Sequence, residues 1–336
     1  MLNFFKITRQ QAAGSALALA FMATSLGVAK AENKVGVLAS YTGEWGAYGQ
    51  AYQIGIELAD VGKSTTFIYE EDGFLPAKSV AAFRKLVQHD KITAAIVGDT
   101  VTAQAVSPIA QKLKLPLFVW ASSDGIFAQN PYALRLWSSS TKDLGFAADE
   151  VSRRGYKKLA LFITTHTYST QWAEELALRF PGSRVHEFPA APDSFATQLI
   201  KAKSSGFDAI GICLGAGMNG RLARQSRELG IGLPIFGCNF LEGTAEIRAA
   251  GDALDKVWFT APKISPEFMS RYKQRTGVTD HVVSAATFHD AALLLTGRVD
   301  KPFAINGLRE VNENGDRHLD FNFEVFTFRG VEIVTP

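Results

Sequence analysis

Short apolar runs recur along this chain, and each is followed by a longer stretch with helical apolar spacing. The runs fall at residues 35–39, 66–69, 94–97, 117–120, 158–163, 184–187, 209–214 and 235–237. The helical patterns fall at 49–59, 76–88, 103–112, 142–154, 170–180, 195–204 and 219–229. Continuous apolar runs mark strands buried on both faces, and parallel neighbours need a crossover helix between them. This alternation therefore predicts an α/β fold of doubly wound, Rossmann-like parallel sheets with helices on both faces. One sheet starts at Val35 and a second at Lys158. The 336 residues exceed what one core usually carries, which also argues for two units. Between them lies Ser138-Ser139-Ser140-Thr141, a polar break that also supplies an N-cap for the next helix. Asp193-Ser194 does the same for the helix from Phe195.

The C-terminal part changes character. Residues 266–276 and 284–295 read as helices, and Asn314-Gly315 sits between strand-like runs as a tight hairpin signal. Aromatic residues at 321, 323, 326 and 328 break strict alternation, which predicts a fully buried or bulged strand.

Residues 1–31 read as a secretory leader. Lys6 and Arg9 form a basic start, residues 12–28 are apolar or small, and Ala29-Lys30-Ala31 is a small-x-small cleavage site. Its alanine content, with Gly14, Ser15, Thr24, Ser25 and Gly27 interspersed, argues against a membrane anchor. Cleavage would leave 305 of the 336 residues. The leader carries Lys6, Arg9 and Lys30 but no acid, so the net charge of +2 becomes −1. Such a balance offers no electrostatic case for nucleic acid. The expectation is an exported protein.

Two cysteines rule out a disulfide-dense scaffold. Cys213 and Cys238 lie at or just past the ends of consecutive strand runs. Export would permit a bridge, but disulfide geometry is demanding, and two buried free thiols are the expectation.

Catalytic motifs are sparse. Gly215-Ala216-Gly217-Met218-Asn219-Gly220 matches the G-x-G-x-x-G dinucleotide pattern, after a strand and before a helix. It comes late in the chain, however, and the next strand ends at Asn239 rather than at an acid. A glycine-rich turn is the expectation and an NAD-dependent enzyme the distant alternative. The six histidines show no paired metal spacing. His289-Asp290 reads as a cap or surface pair, and His166 as a solvated loop histidine after a strand. No catalytic residue, cofactor or metal is expected.

Several stretches in order resemble one family. Val35-Gly36-Val37-Leu38, with Thr42-Gly43 and Tyr48-Gly49, is similar to its first strand and ligand loop. Pro76, Ala81, Leu86-Val87 and Asp90, followed by Ala95-Ile96-Val97-Gly98, resemble its second helix and third strand. Ser194-Phe195 through Lys203 to Asp208-Ala209, and Asn312 through Asp316, match later elements. The family is that of periplasmic solute-binding proteins of branched-chain amino-acid (Leu/Ile/Val-type) ABC transporters. The resemblance covers essentially the whole chain after the leader. It implies the type I periplasmic-binding architecture, with two lobes joined by a three-crossing hinge and a ligand enclosed between them. Lobe one would span 32–138 plus about 263–308, and lobe two 139–262 plus about 320–336. The crossings would fall near Ser138, near Pro262 and between Leu308 and Asp320.

The resemblance also implies a site. Thr102, Ala121 and Ser123 stand where the family holds an amino-acid carboxylate, and Tyr48 and Tyr168 where it has aromatic contacts. Asn239 stands where an acid pairs with the ligand ammonium, and Glu242, three residues on, is the candidate substitute. Gly215 occupies the place of a further tyrosine, Trp120 that of a proline, and Trp45 lies in the first loop. A neutral Asn239 makes a buried ammonium costly. The implied ligand is a small carboxylate, an aromatic acid or an amide at least as readily as leucine. The implied role is that of a monomer that captures a small solute and hands it to a membrane permease. A sensory protein presenting its ligand to a receptor or kinase is the alternative, since one fold serves both uses.

Overall fold

Every apolar run read from the sequence is a strand. In the computed structural model, which describes residues 33–335 apart from 122–125, 128, 139, 190, 191, 216 and 314, the chain forms two seven-stranded sheets. The first half supplies β1 (Asn33–Ala39), α1 (Gly46–Ala59), β2 (Thr65–Glu71), α2 (Pro76–Lys85), β3 (Ala94–Val97), α3 (Thr100–Leu113), β4 (Leu117–Val119) and β5 (Ala133–Arg135). There follow α4 (Ser140–Arg153), β6 (Leu159–Thr164), α5 (Thr167–Arg179), β7 (Arg184–Phe188), α6 (Ala196–Ser204), β8 (Ala209–Cys213), α7 (Met218–Glu228), β9 (Ile235–Gly237), α8 (Thr244–Ala250) and β10 (Trp258–Pro262). The chain ends with α9 (Pro266–Thr276), α10 (Val282–Thr296), β11 (Arg309–Glu313), β12 (Asp316–Asp320), β13 (Phe323–Arg329) and β14 (Glu332–Val334).

The first sheet runs β11-β12-β5-β4-β3-β1-β2, and the second β14-β13-β10-β9-β8-β6-β7. In the first sheet β12, β5, β4, β3, β1 and β2 are parallel and β11 forms an antiparallel edge. In the second β10, β9, β8, β6 and β7 are parallel and the β13–β14 hairpin forms the antiparallel edge. β1, β3 and β8 are almost wholly buried, consistent with apolar runs that lack alternation. α10 returns to the first sheet and packs on α1, with Tyr52 stacked on Phe288 at 3.8 Å.

Two strands escape the apolar pattern. β5 ends in Arg135, which is fully buried. Its guanidinium lies over the Phe127 ring and pairs with Asp316. β10 carries Thr260 and ends in Pro262. A charged residue such as Arg135, whose partner lies far along the chain, cannot be read as core from local sequence.

The chain crosses between the sheets after β5, after β10 and after β12. The hairpin of residues 309–320 is part of the first sheet. The sequence reading placed the third crossing within this segment; the switch lies at Phe321-Asn322, between β12 and β13. This explains the broken aromatic alternation from Phe321, because the run spans two strands in different sheets. Asn314 of the turn lies outside the described residues. The crossings are tied together: Lys142 bonds the Asp320 carboxylate and the Phe321 carbonyl, and the Lys263 N–H donates to the Asn322 carbonyl at 2.7 Å.

Two expectations are corrected. Cys213 and Cys238 form a disulfide, with Cα atoms 5.3 Å apart. β8 and β9 pair in parallel with Ile212 opposite Gly237, so the next residue on each strand meets its partner. His289-Asp290 is buried, and the Asp290 carboxylate accepts the Ala304 and Ile305 N–H groups. Among the described residues no helix is long and apolar enough to cross a membrane.

Candidate functional site

A cavity of about 300 Å³ lies where the C-terminal ends of the two sheets face each other. Ligands of open α/β sheets are met at such strand ends. From the first lobe the lining comprises Trp45, Tyr48 and Tyr52, residues 73–75 after β2, residues 98–101 after β3, Trp120 and Ala121 after β4, and Trp137 after β5. The second lobe contributes His166 and Tyr168 after β6, and Asn239 and Phe240 after β9.

Most of the wall is aromatic. Trp45 packs near Tyr48, Phe74 and Phe240, with ring centroids 5.8, 6.4 and 6.4 Å away. Trp120 meets Tyr52 edge-on at 5.3 Å. A Cβ on Gly215 would lie 2.9 Å from Trp45 Cη2. The space opened by a glycine in the second lobe is thus filled by an indole from the first.

Polar groups enter at two helix starts. Asp99 caps α3, its Oδ1 accepting the Val101 N–H at 2.6 Å. His166 caps α5, its Nδ1 accepting the Tyr168 N–H at 3.3 Å. The other ring nitrogen, Nε2, points across the cleft to Asp99 Oδ2 at 3.7 Å. Thr100 and Asn239 are buried, and among the described residues their side chains have no hydrogen-bond partner. Neither is among the sealed polar atoms that lack a partner, so their polar groups stay open to the cavity and can meet a bound molecule. Behind the wall, Asp143 accepts the Trp137 indole N–H at 2.7 Å and the Tyr168 hydroxyl at 3.2 Å. Burial pushes its carboxyl up to about 6, despite those two bonds.

The structure brings Tyr48, Ala121, Tyr168, Asn239, Trp45 and Trp120 together around one cavity. Thr102 is corrected. Its hydroxyl faces away, bonded to Asp72 Oδ2 at 2.6 Å and Ser79 at 3.1 Å, and the hydroxyl in the lining is Thr100, on the turn before it. Ser123 lies outside the described residues. Glu242 is also corrected as a charge partner, because its carboxylate is buried and bonded to the start of α10. His166, read as a solvated loop residue, lines the cavity. Asp99, Thr100, Trp137 and Phe240 were not picked out from the sequence. The strand-end rule reaches Asp99, Thr100 and Phe240 once β3 and β9 are known, whereas Trp137 needs β5.

The glycine-rich turn is internally occupied. The Gly217 and Gly220 N–H groups donate to the Glu246 carboxylate at 2.8 and 3.0 Å. Those donors would cradle a pyrophosphate in a dinucleotide site. Among the described residues no group of metal-ligating side chains converges.

The chain belongs to the periplasmic binding protein family, whose profile matches residues 32–299. Its fold is that of the branched-chain amino-acid type. A leucine binding protein, LivK, from Thermotoga maritima is similar with a TM-score of 0.78 at 19% identity, over 90% of this chain and 97% of that one. The substrate binding protein LivJ from Streptococcus pneumoniae, in complex with isoleucine, gives 0.75 at 20% identity, over 90% and 99%. An ABC-transporter solute binding protein from R. palustris, in complex with benzoate, gives 0.72 at 20% identity, over 90% and 94%. No curated protein matches the sequence.

Proposed function

We propose that this protein is the solute-capturing component of an ABC importer, exported to the periplasm through the leader at residues 1–31. It binds a small solute with an aromatic or apolar body and one polar head, a carboxylate or an amide, and delivers it to a membrane permease as a monomer. The observation that carries this reading is the aromatic cavity between the lobes, with Thr100 and Asn239 in its wall and without a side-chain hydrogen bond among the described residues. A largely apolar pocket with a few convergent polar groups is what a small-molecule site requires.

The charge pattern supports a ligand without an ammonium. Asn239 is neutral, and Glu242 is spent elsewhere. Asp99 already caps α3 and faces His166. Isoleucine and benzoate, held by two similar proteins, share a carboxylate on an apolar body, and the aromatic walls here favour the flatter of the two.

A thermal-shift screen over amino acids, aromatic acids, amides and short organic acids tests the proposal, because a ligand of the folded state raises Tm. Aromatic or apolar acids or amides are expected to stabilise the protein. Stabilisation by cationic solutes alone, or by nicotinamide cofactors, would overturn it.

A further inference from the structure

Glu242 lies at the seam between the lobes but outside the cleft lining. It closes the turn of residues 239–242 that follows β9 of the second lobe. From there its fully buried side chain reaches the start of α10, a helix of the first lobe. Oε2 accepts the Val283 N–H at 2.9 Å, and Oε1 accepts the Ser284 N–H at 3.2 Å and the Ser284 hydroxyl at 2.6 Å. The Glu242 carbonyl accepts the His281 N–H at 3.0 Å. Thr244 adds its N–H to His281 Nε2 at 3.1 Å and its hydroxyl to the Asp280 carboxylate at 2.6 Å.

The first N–H groups of a helix have no partner within it. α10 provides none of its own, since His281 at its N-cap position makes no side-chain cap bond. The cap is borrowed from the other lobe. A carboxylate suits that place, because the helix dipole and the oriented donors both favour negative charge. Opening the lobes would expose the carboxylate and the donors to water and exchange these bonds for hydration. The seam also touches the site, as the His281 ring meets Tyr48 edge-on at 4.4 Å.

We propose that Glu242 is an interlobe clasp, a positioning residue that favours the closed form through α10 without touching the solute. This rests on the reading that the lobes open and close around the cleft. The main arm of its test uses no ligand, so it stands apart from solute identity. Spin or fluorescent labels at Lys78→Cys and Glu174→Cys, exposed residues of the two lobes, report the interlobe distance of the unliganded full chain. In this background Glu242→Gln replaces one acceptor by a donor that faces N–H groups. The open-to-closed ratio is expected to rise on the order of tenfold, with far-UV circular dichroism unchanged. Ser284→Ala and Thr244→Val should shift it the same way by less, and they carry the test if Glu242→Gln does not fold. Unchanged distance distributions in the folded variants would overturn the clasp and make the contact static packing. A distribution that is single and identical with every substitution and every solute would instead overturn the opening and closing itself.

Discussion

Trp45 and Gly215 face each other across the two lobes, and a Cβ on the glycine would sit 2.9 Å from the indole. The absence of a side chain at one position makes room for the largest side chain at the other. Gly215→Leu should therefore displace Trp45 and hinder closure. Overpacking of this kind costs about 1–3 kcal/mol. Titration calorimetry with the best solute from the screen should show that loss with little change in Tm. Undiminished affinity would mean that Trp45 has somewhere else to go.

Asn239 is a buried, neutral residue in the cleft wall, and among the described residues its side chain makes no hydrogen bond. Asn239→Ala should weaken the solute by about 1 kcal/mol, the value of a lost hydrogen bond. Asn239→Asp should weaken a carboxylate solute further and bring amino acids into the set that raises Tm. If leucine binds the natural protein tightly and the aspartate does not improve it, the argument from the missing charge fails.

Glu246 carries the glycine-rich turn. Burial pushes its carboxyl up to about 7, against the lowering effect of the Gly220 and Gly217 N–H groups. Glu246→Ala should leave those donors unsatisfied and cost about 2–3 kcal/mol of folding stability. Urea denaturation would measure it, and a change within error would show that water replaces the carboxylate.

His281 gives a pH signature. Burial pulls its imidazole down to about 4, against the raising effect of Asp280, so the ring is neutral near pH 7 and accepts the Thr244 N–H. A histidine lowered by folding contributes stability fully above its ordinary value near 6.5 and loses it as pH falls from there toward 4. Glu242 and Glu246, both pushed up by burial to about 7, act in the opposite sense. Their contribution is present below their ordinary range and lost as pH rises toward 7. Comparing the natural protein with His281→Gln isolates the histidine. From pH 6.5 to 4 the natural protein should lose stability relative to the variant, and parallel curves would contradict the assignment.

The Cys213–Cys238 bridge closes a loop with a sequence separation of 25. Chain-entropy arguments give such a crosslink about 3 kcal/mol. Replacing both cysteines by serine should lower Tm accordingly. It should also weaken solute binding, since Asn239 follows Cys238 directly. Thiol titration of the unfolded, unreduced protein should find no free thiol.

Much of this fold was legible before any coordinate. Buried parallel strands announce themselves as unbroken apolar runs, because both of their faces meet helices, and this located β1–β4 and β6–β9. Trp45, Tyr48, Trp120 and Tyr168 were named through the family resemblance, and the structure groups them around one cavity. β5 was hidden because its buried Arg135 is paired with Asp316, far along the chain, and β10 because Thr260 and Pro262 interrupt its apolar run. Thr102 shows the same limit within the site. Residue type and position argued for a ligand hydroxyl, but helix phase turned it toward Asp72 and left Thr100 in the cleft. The sequence by itself determined the alternation, the two sheets and the neutral residue at 239. Only the tertiary structure decided which cysteines met, where the third crossing fell and what Glu242 bonded. Those outcomes depend on register and on contacts between lobes, and side-chain periodicity along one chain carries no record of either.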